Sequence, residues 1–348
     1  MIGIYAPYNY SETTYAAISL AEHAAQMGLN PVYLACDSPH GSRIHPYWDP
    51  QVLRNASKSA MKWLRNCDTV VWFQLDVARL LASAKLGKRN ILVLGYDNAT
   101  RELHKHLDRF HTVVCPSRYW ARACSEHYGK DLFRSIGWAT AAKPVPKQNL
   151  VSADGRIHLH TPLDKDAARS FGNKIICALE YLLSGHSNIW LTVSKAGSWP
   201  REVMAAWTNL EKRFGLRSVL DNRRSFLDRM SRYINNDWTL YPACRTDFGL
   251  TAIESLGCGT PVISFDIPPL SEVVANGANG CLLPCGVGYD KLDLPRLADP
   301  SVHELIEGLE EVVPNLAQLR RVLRCDDQRE VRRQKSFSRS WRRLLSVA

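Results

Sequence analysis

The sequence predicts an α/β protein built from two Rossmann-like domains, each with a parallel sheet. Three observations lead to this prediction. Short apolar stretches typical of buried strands alternate with longer stretches whose apolar residues recur at helical spacing. The alternation stops once, in the proline-containing segment 140–156, and then begins again. A length of 348 residues is also more typical of two domains than of one.

The first predicted domain spans residues 1–145 and begins with a β-α-β unit. Residues 2–6 form a strand, residues 13–27 carry apolar side chains near helical spacing, and Gly28 ends the helix before the strand PVYLA. Three further strands are predicted for DTVVWF, NILVLGY and HTVVCPS. Because these strands are almost continuously apolar, we expect a parallel sheet covered on both faces.

The second predicted domain spans residues 146–330 and repeats this alternation. Its predicted strands are RIHLHT, NIWLTVS, WTLYP, PVISF and GCLLP, with helical segments between most of them. The helical region 302–345 is longer than this sheet requires. We therefore expect residues 331–348 to form a C-terminal helix that returns to the first domain.

Composition is that of a globular protein, with 45% hydrophobic and 22% charged residues. No stretch reaches the ~18 apolar residues that a membrane span needs, and the first residues lack the pattern of a signal peptide. This predicts a cytoplasmic protein without a transmembrane segment. The ten cysteines form no CxxC pair, which favours buried, reduced thiols.

The net charge of +10 favours polyanionic partners such as nucleic acid, anionic lipid or phosphorylated small molecules. Arginine is most concentrated between Arg320 and Arg343, in RRVLRCDDQREVRRQKSFSRSWRR. A solvated helix face is the alternative explanation of this run.

The segment YPACRTDFGLTAIESLGCGTPVISFD, from Tyr241 to Asp266, combines a strand end, a glycine-containing loop and a short helix. In a parallel α/β sheet, ligands bind beyond the carboxyl ends of the strands, where loops meet helix N-termini. The N-terminus of this helix suits a phosphate. Glu254, about one turn further on, can accept two hydroxyl hydrogen bonds from a ribose diol. A nucleotide ligand is therefore predicted.

These residues carry a family resemblance. The stretch TDFGLTAIESLGCGTPVISFDIPPLSEVVANGANGCLLP resembles the donor-binding segment of retaining GT-B glycosyltransferases of family 4. HTVVCPSRYWARAC and SFSRSWRRLL resemble a first-domain loop and the closing helix of that family more weakly. The resemblance implies the GT-B fold, with an N-terminal acceptor domain and a C-terminal nucleotide-sugar domain whose parallel sheets face each other across a cleft.

The resemblance also implies roles for residues of the motif. Glu254 matches the glutamate that binds the donor ribose, while Phe248, Gly249 and Leu250 match residues that shape the sugar and phosphate pocket. The first glutamate of the family motif is replaced by Thr246, which is a further candidate donor-binding residue.

Further roles follow from the same resemblance at other positions. Asp247, next to Thr246, is the candidate to bind the donor sugar in place of the missing glutamate, and Asp97 is the candidate catalytic helper. Turn formation and helix capping are the respective alternatives for these two residues. Lys165 and Arg169 are the candidates for binding the diphosphate, although the usual R-xxxx-K-G frame is absent.

The loop at the acceptor side departs from the family pattern. Asn9, Tyr10 and Ser11 stand where the family has small residues near the entry of the acceptor. Pro268 and Pro269 replace a glycine pair, and proline cannot donate an N–H group.

The implied function is retaining transfer of a sugar from a nucleotide diphosphate, with UDP-hexose as the expected donor and no metal or other cofactor.

The D-x-D triplet from Asp164 to Asp166 would favour a metal-dependent transferase of another fold, but such short matches are frequent by chance. His158 and His160 lie on one strand without a third metal ligand in sequence. A G-x-G-x-x-G fingerprint is absent, which disfavours a dehydrogenase.

The net charge and the arginine-rich end favour DNA as the acceptor. Phage enzymes that resemble this class glucosylate hydroxymethylated bases, so the resemblance implies a hydroxymethylated pyrimidine, whose base would have to leave the stack. A phage protein of this kind would act in the host cytoplasm. Glycosylation of a glycan, lipid or protein is one alternative, and a non-catalytic nucleotide-sugar or nucleic-acid binding protein is the other.

Tryptophans of the first domain could form a base-stacking platform or belong to the core: Trp48, Trp63, Trp72 and Trp120.

Overall fold

The chain divides into two compact units. The computed structural model describes residues 1–8, 11–36, 52–53, 57–95, 101–139, 156–163, 165–195, 199–220, 226–243, 246–289, 296–322 and 327–346. Unit 1 consists of Met1–Ala141 and Val331–Ala348, and unit 2 of Ala142–Glu330. The linker predicted between residues 140 and 156 lies almost entirely outside the described residues.

Unit 1 is built on a sheet of parallel strands. Its elements in chain order are β1 (Ile2–Ala6), α1 (Glu12–Gln26), β2 (Pro31–Ala35), β3 (Val52–Leu53), α2 (Ser57–Asn66), β4 (Thr69–Trp72), α3 (Val77–Lys85), β5 (Arg89–Val93), α4 (Arg101–His104), β6 (Thr112–Cys115), α5 (Arg118–Tyr128) and β7 (Phe133–Ser135). The strand order is β3-β2-β1-β4-β5-β6-β7. The order reverses between β1 and β4, and this is where a ligand crevice forms in such sheets.

The central strands of unit 1 are mostly apolar and buried, as expected for a sheet covered on both faces, although β5 begins with the partly buried Arg89. Trp63, Trp72 and Trp120 are buried too. The indole N–H of Trp72 donates to Oδ1 of Asn90 at 3.0 Å. These three tryptophans therefore belong to the core and are not a stacking platform, whereas Trp48 lies outside the described residues.

The C-terminal helix completes unit 1. Helix α13 (Asp327–Ser346) begins at the end of unit 2 and continues into unit 1. There the rings of Phe337 and Trp341 pack on Trp138, with centroids 5.2 and 6.1 Å apart. Phe337 also meets the ring of His23 edge to face. Burial of these aromatic rings ties the second half of α13 to unit 1.

Unit 2 contains the second parallel sheet. Its elements are β8 (Ile157–Leu163), α6 (Lys165–Gly185), β9 (Ile189–Lys195), α7 (Arg201–Phe214), β10 (Arg217–Leu220), α8 (Phe226–Ile234), β11 (Trp238–Tyr241), α9 (Leu250–Gly257), β12 (Val262–Phe265), α10 (Leu270–Val273), β13 (Gly280–Leu283), β14 (Val287–Tyr289), β15 (Arg296–Ala298), α11 (Val302–Val312) and α12 (Leu316–Val322). The strand order is β10-β9-β8-β11-β12-β13, and β14 and β15 form a separate antiparallel pair.

The order of this sheet reverses between β8 and β11. Lys165 begins α6 directly after β8, and the loop to α9 follows β11. Because parallel strands end at the same edge of a sheet, α6 and α9 both begin at the reversal point. The fold thus brings the two predicted donor-binding segments to one crevice of unit 2.

Cysteines among the described residues are free thiols, but they are not all buried as predicted. Cys67, Cys115 and Cys124 are inaccessible, whereas Cys177 is exposed on α6. The prediction of uniformly buried thiols is therefore wrong for Cys177.

Candidate functional site

The entry to α9 is a tight turn fixed by two residues. The backbone N–H of Gly249 donates to Oγ1 of Thr246 at 3.0 Å. Gly249 has φ 67°, in the left-handed region that glycine adopts without strain. A Cβ at this position would also lie 3.5 Å from Cδ2 of Leu270. Thr246, where the family has a glutamate, thus has a structural role in positioning the first turn of α9.

Glu254 lies one turn further along α9 and is only 3% exposed. Its carboxylate is held by Arg229 of α8 through two hydrogen bonds, Nε to Oε2 at 2.9 Å and Nη2 to Oε1 at 2.7 Å. This is the bidentate geometry in which guanidinium and carboxylate interact most strongly. A buried carboxylate requires such a partner, because desolvation of an unpaired charge is costly.

Other contacts hold α8 against α9 independently of this ion pair. Oγ1 of Thr260, just after α9, donates to the carbonyl oxygen of Tyr233 at 2.5 Å, and the sulfurs of Cys258 and Met230 lie 3.7 Å apart. Burial, together with the negative charge of Glu254, raises the pKa of Tyr233 well above its usual value. Tyr233 is therefore a neutral phenol beside the carboxylate.

The motif residues next to the turn differ in their exposure to solvent. Phe248 and Leu250 are buried, so their side chains pack in the protein interior. Asp247, between the turn residues, is partly exposed. The donor-binding roles of these residues, and of Glu254, stay predictions.

Several other predicted residues are only partly described. Arg169 lies with Lys165 near the start of α6, where only the backbone is described. Ser11 caps α1, since its Oγ accepts a hydrogen bond from the backbone N–H of Thr14 at 3.3 Å. The remaining predicted residues lie outside the described residues: Asn9, Tyr10 and Asp97.

Helix α8 supplies a second buried arginine that the sequence pattern did not single out. Nη1 of Arg232 donates to Oγ of Ser194 at 2.5 Å, and this hydroxyl lies 2.8 Å from Nε2 of His160. Burial, and then the charge of Arg232, lowers the pKa of His160 to about 3. His160 is therefore neutral at physiological pH and belongs to a hydrogen-bonded cluster in the sheet of unit 2.

The depressed pKa of His160 predicts acid-sensitive packing. The folded chain keeps this ring neutral, while the unfolded chain protonates it. The contribution of His160 to the free energy of unfolding is therefore fully present above pH ~6.5 and is lost as the pH falls towards about 3. His160→Gln should make the dependence of unfolding free energy on pH shallower by about 1 kcal/mol per pH unit in that interval. Urea denaturation at several pH values measures both slopes, and equal slopes would contradict the assignment.

Within the described residues, no group of three or more His, Cys, Asp or Glu side chains is arranged to hold a metal ion. No helix among them is both long and apolar enough to cross a membrane.

Comparison with known proteins defines the class to which this fold and motif correspond. Residues 223–292 match the family model of the glycosyl transferases group 1. This segment includes Arg229, the turn at Gly249 and Glu254. Solved structures of similar fold cover nearly the complete chain, and they include a glycosyltransferase from Rickettsia africae and an O-GlcNAc transferase. The protein thus has the GT-B fold, with two parallel sheets in α/β arrangement, as the sequence predicts.

Three solved structures illustrate this likeness. The pneumococcal O-GlcNAc transferase GtfA, in complex with UDP and GlcNAc, has a TM-score of 0.72 at 11% identity, covering 99% of this chain and 98% of its own. Anabaena HepE, in complex with UDP and glucose, has a TM-score of 0.69 at 13% identity over 100% and 99%. Sucrose-phosphate synthase from Thermosynechococcus elongatus has a TM-score of 0.67 at 14% identity over 100% and 99%.

Curated relatives match over short segments. D-inositol 3-phosphate glycosyltransferase of Streptosporangium roseum is 39% identical over 67 residues, which is 19% of this chain and 15% of the relative. The enzyme of the same name from Jonesia denitrificans is 44% identical over 48 residues, 14% of this chain and 11% of the relative. The chain therefore matches less than a fifth of the length of either relative.

Proposed function

We propose that the protein transfers a hexosyl group from UDP-hexose to an acceptor hydroxyl with retention of the anomeric configuration. The observation that carries this proposal is the buried Glu254 carboxylate, oriented by Arg229 at the carboxyl end of the sheet of unit 2. An ionised carboxylate accepts hydrogen bonds from both hydroxyls of a ribose. The group 1 family segment that contains both residues supports the proposal.

The proposed chemistry uses positioning and charge. The bond between the anomeric carbon and the leaving phosphate oxygen breaks, and the acceptor oxygen bonds to that carbon on the same face. The acceptor proton passes to the leaving phosphate oxygen, with Asp97 as a candidate helper. Lys165 and Arg169 stabilise the charge on the diphosphate without a metal ion, and Asp247 binds hydroxyls of the sugar.

For the acceptor we propose a hydroxymethylated pyrimidine in DNA, on the basis of charge. In α13, Arg332, Lys335, Arg339 and Arg342 are exposed, on the side of the helix opposite its buried aromatic residues. The segment 331–346 contains no acidic residue. Because Phe337 and Trp341 are already buried in unit 1, this helix lacks the free apolar face that membrane insertion requires. A basic face of this kind suits a phosphate backbone.

Binding to DNA should depend on salt through this basic face. Replacing Arg332 and Arg339 by glutamate should reduce the slope of log affinity against log salt by about two, since roughly one counterion is released for each phosphate contact. Fluorescence anisotropy with a labelled duplex measures this slope. Arg134→Glu is a control at an exposed arginine of the same unit. An unchanged slope in the double variant would show that the basic face is solvated surface.

The function is tested by incubating the purified protein with UDP-hexoses and candidate acceptors while UDP release and products are followed. Mass spectrometry of nucleosides from hydroxymethylated and unmodified duplexes detects a DNA adduct. A sugar on hydroxymethylated DNA alone supports the full proposal. Transfer only to glycan, lipid or protein acceptors would overturn the DNA proposal. If the protein binds the nucleotide sugar but releases no UDP with every acceptor tested, the non-catalytic alternative is favoured.

A further inference from the structure

Arg229 is the residue outside the recognised motif that is most directly engaged with the candidate site. It lies on α8, 25 residues before Glu254 in sequence, and both of its hydrogen bonds to the carboxylate are shorter than 3.0 Å. About 18% of its side chain is exposed, against 4% for Glu254. The side chain of Arg229 is therefore more accessible than the carboxylate that it binds.

We propose that Arg229 is a positioning residue that determines selectivity for ribose over deoxyribose in the donor nucleotide. This inference rests on the proposed function, in which Glu254 binds the ribose diol. The two parallel hydrogen bonds of the guanidinium fix the plane of the carboxylate. Each oxygen thereby has a defined orientation toward a ribose hydroxyl.

The geometry of arginine explains why a single positive charge is insufficient for this role. The planar guanidinium donates two parallel hydrogen bonds and fixes rotation of the carboxylate, whereas a lysine ammonium acts as a point charge. A buried carboxylate also requires a positive partner, because desolvation of an unpaired charge is costly. Arg229 thus pairs with Glu254 and orients it.

The surroundings of Arg229 allow this role to be tested without loss of the fold. Helix α8 is also anchored by Met230 against Cys258 and by the carbonyl of Tyr233 against Thr260. These contacts do not involve the guanidinium. We therefore expect Arg229→Met and Arg229→Lys to fold, and thermal unfolding of each variant verifies this.

The test is calorimetric titration with UDP and with 2′-deoxy-UDP. The wild-type protein should bind UDP at least about tenfold more tightly, because the deoxy analogue leaves one carboxylate interaction unmade. Arg229→Met should bring this ratio close to one, and Arg229→Lys should restore part of it. Arg213→Met, which removes an exposed arginine of the same unit, is the control and should retain the wild-type ratio.

Each outcome has a defined meaning. A wild-type ratio in Arg229→Met would overturn the proposal and leave Arg229 with a structural role only. If Arg229→Met binds both nucleotides more weakly by the same factor, the ratio of affinities is unchanged and the proposal is overturned in the same way. If the wild-type protein binds both nucleotides equally, the ribose role of Glu254 fails and Arg229 selectivity fails with it. Binding of neither nucleotide would instead overturn the UDP donor of the proposed function. Should Arg229→Met not fold, Arg229→Lys carries the comparison, and a fully wild-type ratio in Arg229→Lys would overturn the proposal.

Discussion

Replacing Glu254 by glutamine should reduce the affinity for UDP and the rate of sugar transfer by about 100-fold, since each hydrogen bond to a charged group contributes roughly 1.5 kcal/mol or more. Glutamine has nearly the same shape, but it lacks the negative charge and has only one acceptor oxygen. It would also leave the guanidinium of Arg229 without its carboxylate partner. The expected effect is therefore on the site, with some loss of stability.

Titration calorimetry with UDP and initial rates of UDP release measure the two quantities. Glu307→Gln provides the matched control, because this glutamate is 62% exposed on α11 and lies 3.1 Å from Nε2 of the exposed His303. A fall in transfer without any fall in UDP affinity would move Glu254 from ribose binding to another step. Undiminished binding and transfer would remove it from the site.

Most strands could be predicted from sequence because they are buried on both faces. β1, β4, β5, β8, β11 and β12 lie inside their sheets and consist largely of apolar residues. The strands that the pattern missed include β3, β7 and β10, each at the edge of a sheet. Edge strands are short and tolerate polar residues, so their sequences resemble loops. Their pairing depends on neighbours distant in sequence.

Some residues of the candidate site could likewise be predicted from the local sequence, whereas others are revealed only by packing. Glu254 and the turn at Gly249 lie within ten residues of each other, so the motif is visible locally. Arg229 resembles an ordinary charged residue of an amphipathic helix. Its partner is revealed only by the packing of α8 on α9, and the same holds for Arg232, Ser194 and His160. Local patterns therefore reveal the loop and helix of the motif better than the residues that pack against them.

Gly280 is a further residue whose importance depends on packing, and its replacement by alanine should strongly destabilise unit 2. Gly280 is paired with Val262 in the β12–β13 ladder. An added Cβ would lie 2.2 Å from the carbonyl oxygen of Val262 and 2.7 Å from Cγ1 of Val274. Because the nearest atom is backbone, one of the two strands must move. We expect a loss of unfolding free energy of about 3 kcal/mol or more, at the upper end of overpacking effects.

Two other glycines separate this steric effect from conformational strain. Gly277 has φ 71° and open space around its Cα, so Gly277→Ala should cost only about 1 kcal/mol. Gly185 also has open space and no positive φ, so Gly185→Ala should be nearly neutral. Urea denaturation of the full chain measures these differences, and hydrogen exchange of β12 and β13 assigns the transition to unit 2. Equal stability of Gly280→Ala and Gly277→Ala would mean that β12 and β13 do not approach each other this closely. The expected order places Gly280 first, because a backbone carbonyl, unlike a side chain, cannot rotate away from the added methyl group.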